Sequence, residues 1–325
     1  MPIHDLGYRP WDGPLIAERS RWFVIAETGI RRVWQSAWVK RIVFFAWLPL
    51  LLFALGFLIF EWAAHGNTFV QPIAMGLMGM FGEPPNMPDD FSAGNMLSLQ
   101  TMIQDNRHWF WSEMLYRYLR YPQGFMLVLL VGLIAPRLIS EDVSTRAFLF
   151  YFSRPLSRFE YVLGKSATVW FFLLLIITAP ALFMYVIAVA LSASPAVIFD
   201  TWDILLQIVL GSFAVIMVCT SVSLCFSSLT RDSRYAGFAW FAMWIVGTVA
   251  MIFVSLWRRT QPGFDSERFY VEHYLSPYSV FGAFQQWIFD MQSTGEVLMF
   301  ILLLVVVFVV STVVLFYRVS APMRA

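Results

Sequence analysis

Residues 153–166 read SRPLSRFEYVLGKS, and ATVWFFLLLIITAPALFMYVIAVAL follows directly over 167–191. The first stretch closes on Gly164-Lys165-Ser166, which matches the tail of a loop that cradles nucleotide phosphates. The second is long and apolar enough to cross a bilayer. A phosphate loop requires Gly-x-x-x-x-Gly-Lys-[Ser/Thr], because the first glycine opens a tight turn and successive backbone N–H groups wrap the anion. Here the position five before Gly164 is Phe159, and no strand-like run precedes it. Gly-Lys-Ser is therefore read as the doorway to a membrane span, and no other part of the chain carries a nucleotide-binding signature.

Composition agrees with that reading. The 325 residues are 59% hydrophobic, 18% aromatic and only 13% charged, whereas soluble domains carry about a quarter charged residues. Six apolar runs are candidates for crossing: 42–60, 124–139, 166–191, 204–229, 236–257 and 297–317. The second is the weakest, cut short by Pro136 and Arg137. It needs help from the helical stretch just before it. The expected fold is an all-α polytopic membrane protein, one transmembrane domain over 1–325. The polar, charged start over 4–21 lacks the apolar core of a cleavable secretion signal. Cys219 and Cys225 lie six apart in one apolar run, on different faces of a helix, and read as packing residues.

Lys and Arg placement orients the spans. With the N-terminus inside, one side takes the segment 1–41, the loop 137–165, the turn 230–235 and the C-terminus, and with them 16 of the 22 Lys and Arg residues. Both termini are expected to be cytoplasmic. Before the first span, WFVIAETGIRRVWQSAWVKR sets Phe23, Ala26, Ile30, Val33, Trp34 and Trp38 at helical spacing, with Glu27, Arg31, Arg32 and Gln35 opposite. That pattern predicts an amphipathic helix lying in the headgroup plane. Two outer loops remain, 61–123 and 258–296. The first ends in RHWFWSEMLYRYLRYP, expected to be a helix lying along the membrane surface. The second holds LSPYSVFGAFQQWIF, apolar but too short to cross, and expected to dip in and return where protein covers its backbone.

Residues 140–165 form the most informative connection. Pro155 stops one helix and restricts Arg154 before it. Ser157 stands three before Glu160, the spacing of a capping box, so it starts the next helix. Ahead of the proline, Asp142 and Arg146 sit at i, i+4 and are suited to pair. Phe148, Leu149, Phe150, Tyr151 and Phe152 follow, five bulky side chains in a loop that should face the cytoplasm. Such a cluster needs a cover: either lipid and the protein's own helix ends, or a partner groove that accepts a short helix.

The stretch 134–165, IAPRLISEDVSTRAFLFYFSRPLSRFEYVLGK, resembles the cytoplasmic loop of ABC-2 type transporter permeases, the membrane subunits of a class of ATP-driven exporters. The likeness rests on Glu141-Asp142, the Ser153-Arg154-Pro155 break, Arg158, Tyr161 and Gly164-Lys165. The piece LSPYSVFGAF, the interfacial helix and the six-span order are also similar to that family. The long segment 61–123 departs from its compact members. The resemblance implies a coupling helix over 145–153 resting in a cleft of a separate ATPase, with two permeases and two ATPases forming the working unit. Glu141, Asp142, Arg146, residues 148–152 and Arg154 would then dock the ATPase. This chain would hold no cofactor, and ATP and Mg would belong to the partner. The site would be a plasma (inner) membrane, with lipid as a further partner and no nucleic acid.

Other chemistries fit less well. The four histidines, His4, His65, His108 and His273, lie outside the expected spans, and there is no His-Glu-x-x-His, so an intramembrane hydrolase is not indicated. An ion-coupled carrier needs a titratable group near the midplane. The fourth span offers only Gln207, Thr220, Ser221 and Ser223, candidate path-lining residues that also suit helix–helix hydrogen bonding. The methionines of the first outer loop are soft enough for Cu(I), but no His or Cys cluster joins them. A membrane scaffold that docks a partner and moves nothing is the remaining alternative.

Overall fold

A computed structural model describes residues 21–86, 96–145, 147, 156–192, 194–260 and 271–320. Among these residues there is no strand, and six helices are long and apolar enough to cross a membrane. In chain order the helices are α1 (Arg21–Trp34), α2 (Ala37–Ala64), α3 (Gln71–Gly79), α4 (Met96–Asp105), α5 (Arg107–Tyr118), α6 (Gly124–Ser144) and α7 (Arg158–Leu173). There follow α8 (Ala179–Leu191), α9 (Val197–Leu229), α10 (Ser233–Arg259), α11 (Pro277–Ile288) and α12 (Thr294–Ser320).

Two pairs of helices are joined into single rods by π-turns. Leu119–Gln123 links α5 to α6, and Leu174–Thr178 links α7 to α8. Each lies at or just before a proline, Pro122 or Pro180. A proline lacks an N–H and its ring crowds the preceding turn; widening that turn lets the rod continue. Near Pro180, Leu175 O instead accepts from Trp47 Nε1–H at 3.2 Å. The consequence for α5 is a correction. RHWFWSEMLYRYLRYP is not a separate helix: it continues into the second crossing helix, with Phe110, Trp111, Leu115 and Tyr118 fully buried. The weak second run is thus the inner part of a helical stretch covering Arg107–Ser144, 38 residues long.

The helix α9 sits at the centre. Of its most apolar stretch 72% is buried, against 11% for α10 and 22% for each of α2 and α12. It is tied to α6 near Pro136 by one hydroxyl. Ser227 Oγ accepts from Ile139 N–H at 3.2 Å and Ser140 N–H at 3.1 Å, and donates to Pro136 O at 2.8 Å. Thr178–Ser212 and Ser311–Ser221 hydroxyl pairs, both at 2.9 Å, add further interhelical bonds. In lipid such bonds and small residues hold helices together, because apolar burial no longer does so.

The segment after α2 is folded onto it. Glu61, fully buried, pairs with Arg107 at 3.2 Å and accepts from Trp111 Nε1–H at 3.1 Å. Gln104 and Gln100 both donate to Ala64 O. Helix α11 is 12 residues long, about 18 Å, and cannot cross. It packs against α9, α10 and α12. At Gly247 of α10 a Cβ would lie 2.6 Å from Leu275 O, so only glycine admits the chain leading into α11. Arg120 then reaches from the first π-turn over Gly282, donates to Tyr278 O at 2.8 Å and stands 4.1 Å above the Tyr278 ring. Burial pushes the Tyr278 hydroxyl above its ordinary pKa, although the Arg120 charge pulls the other way.

Candidate coupling site

The site is assembled where α6 ends and α7 begins. Helix α7 starts because Ser157 is extended (φ −76°, ψ 153°) and accepts from Glu160 N–H at 3.2 Å, while Glu160 Oε2 accepts from Ser157 N–H at 2.7 Å. Both halves of the capping box form, satisfying donors that a helix start leaves unpaired. One residue on, Arg158 donates to Ser320 Oγ at 2.9 Å, and Phe159 stacks on Phe316 with ring centroids 6.4 Å apart. The entry of α7 is thereby fastened to the end of α12.

One turn further along α7, Tyr161 and Lys165 converge on α6. The Tyr161 hydroxyl donates to Asp142 Oδ2 at 2.6 Å, and Lys165 Nζ lies 2.7 Å from the same oxygen. Tyr161 is fully buried and Asp142 is 7% exposed. A buried carboxylate is tolerated when it is both paired and hydrogen-bonded. Glu141, beside it in the chain, meets Arg32 of α1 at 2.7 Å. The acidic pair therefore fixes two different helices to the end of α6. Helix α6 then closes through Thr145 N–H to Glu141 O and Ala147 N–H to Asp142 O, both at 3.0 Å.

Helix α1 completes the site. A Cβ on Gly164 of α7 would lie 2.7 Å from Ile25 Cβ and 2.8 Å from Trp22 O; one on Gly29 of α1 would lie 2.4 Å from Thr168 Oγ1. Facing glycines thus let the two backbones touch, and Trp34 stacks on Phe172 at 5.6 Å. The helix predicted from its amphipathic pattern forms over Arg21–Trp34, with Arg31 and Glu27 paired at 2.6 Å. Its inner face meets its own chain.

Glu141, Asp142, Ser157 and Glu160 are brought together around this junction. Arg146, Phe148, Leu149, Phe150, Tyr151, Phe152, Arg154 and Pro155 lie outside the described residues, and with them the expected Asp142–Arg146 pair. The four fourth-span residues do not gather at one spot. Gln207 donates to Asp290 Oδ2 at 3.0 Å beyond the end of α11, Ser221 accepts from Ser311, and Ser223 bonds back to Thr220 O. All four, Thr220 included, are buried within the single chain. Among the described residues no group of three or more His, Cys, Asp or Glu side chains is placed to hold a metal.

Sequence reasoning passed over Arg32 as a partner of Glu141 and Ser227 as the clasp on α6. Charge in the last turn of α1 and a small residue late in a span were visible, but neither signal names a partner. The fold defines a polytopic α-helical membrane protein whose third crossing helix is capped and clamped at its entry. A family model described as ABC-2 family transporter protein matches residues 67–321. The chain belongs to that family and is a membrane permease component of an ABC transporter. A comparison with curated proteins finds no match.

Proposed function

We propose that this chain is the membrane-spanning half of an ATP-driven exporter, working as a dimer with two cytoplasmic ATPases that supply ATP and Mg. The segment 145–153 would rest in the ATPase, with residues 148–152 as the gripped side chains and Arg146 and Arg154 at its flanks. ATPase closure would push on that segment, and α7 would carry the movement into the bundle. Both termini would face the cytoplasm, across a plasma membrane. The observation that supports this best is the double fastening of Asp142 to Tyr161 and Lys165. It makes the α6 end and the α7 entry one stiff fork on either side of the proposed handle, and a lever needs such stiffness.

The test is to replace Phe148, Phe150 and Phe152 together by Ser and purify the complex from native membranes. The variant is expected to remain folded and lose its co-purifying ATPase. A full complement of ATPase on the triple variant would refute the docking role. Wild-type complex with no substrate-stimulated ATP hydrolysis would favour a scaffold that moves nothing.

A further inference from the structure

A cavity of about 350 Å³ opens between α1, α6 and the start of α2, on the side of the chain where α6 ends. Its lining changes character along α6. Leu133 and Ile134 face Val39 at one end, and Glu141 and Asp142 meet Arg32 and Lys165 at the other. The eight steps from Leu133 to Glu141 cover about 12 Å of helix. Arg137 lies between. It is exposed and makes no hydrogen bond or ion pair among the described residues. Both carboxylates already have cations, Glu141 with Arg32 and Asp142 with Lys165. The cavity therefore keeps one uncompensated positive charge, placed where an apolar floor gives way to a charged rim.

We propose that this cavity binds one anionic phospholipid, with its phosphate on Arg137 and the upper part of a chain along Leu133, Ile134 and Val39. The gradient runs the way a lipid lies: chain toward the apolar part of α6, head toward its charged end. A guanidinium is well matched to a phosphodiester, and the volume suits a headgroup with the first carbons of a chain. The bend where α1 turns into α2 borders the same cavity through Ser36, so the bound lipid bridges α1 and the second crossing rod. This site stands independently of the export reading.

Full-length protein reconstituted in phosphatidylcholine discs, with or without phosphatidylglycerol, tests it by native mass spectrometry after partial delipidation. Wild type is expected to retain phosphatidylglycerol in preference to phosphatidylcholine. Arg137→Gln should weaken that retention about tenfold or more, the loss of one charge-assisted bond. Leu133→Trp, which fills the apolar end, should also expel the lipid. Equal retention of both lipids, or unchanged retention in Arg137→Gln, overturns the proposal. Inorganic phosphate added to discs distinguishes the sources: if it displaces the lipid completely at millimolar levels, the site is for a free anion and the proposal fails. Should Arg137→Gln not fold, raising salt on wild type decides, because retention that ignores salt would exclude the charge pairing.

Discussion

Asp142 holds two partners from one turn of α7, the Tyr161 hydroxyl and the Lys165 ammonium. Removing only the carboxylate leaves a lysine with little solvent and no counter-charge. Asp142→Ala is expected to cost about 3 kcal/mol, while Asp142→Leu combined with Lys165→Met recovers most of it, since a buried pair replaced whole by apolar groups is often neutral. Unfolding midpoints in detergent measure both. At the cap, Ser157→Ala should cost about 1 kcal/mol and be felt locally. Hydrogen exchange at the Glu160 amide, which loses its acceptor, should quicken while that of distant α9 stays the same. Gly164→Leu acts differently, because Trp22 O is backbone and cannot swing aside. The substitution should lift α1 from α7, so that cysteines replacing Trp34 and Phe172 no longer cross-link.

Within the elements, the proline positions decide more than their number suggests. Pro122 and Pro136 both lie in one rod, yet neither ends it, because a π-turn absorbs the first and Ser227 serves the amides beside the second. Ser227→Ala leaves those two amides without that acceptor and should cost about 1–3 kcal/mol, read as a lower thermal midpoint. Gly282→Ala drives a methyl into Arg120. In a double-mutant cycle its effect should overlap with that of Arg120→Ala rather than add to it. These contacts also mark what the sequence could and could not reveal. The crossing helices, the amphipathic α1 and the Ser157–Glu160 box were legible because each depends on residues a few positions apart. The pairing of Arg32 with Glu141, 109 residues away, was not. Hydrophobic period shows which side of a helix is apolar but not which neighbour it meets. The continuity of α5 with α6 was hidden for a related reason: Pro122 signals a stop unless the widened turn is foreseen. The chemistry of residues 148–152 was legible as a cluster of rings in need of cover, and that reading rests on the sequence alone.

For the whole molecule, α9 is enclosed while α10, α2 and α12 turn most of their apolar surface outward. Those faces need lipid or a second copy, in keeping with the proposed dimer. The proposed topology has a direct check: a cysteine at Arg231 should react with an impermeant reagent only from the side of α1, and one at Asn67 only from the opposite side. Reaction of both from one side would overturn the orientation. The first two crossing rods also meet through two cross-ties at different depths: Gln123 Nε2 to Ala46 O at 2.8 Å, and Arg107 to Glu61. Fixed at two levels, such a pair resists sliding, as a ladder resists shear once its rungs are nailed. Any stroke delivered to the foot of α6 must then tilt the pair as a single plank.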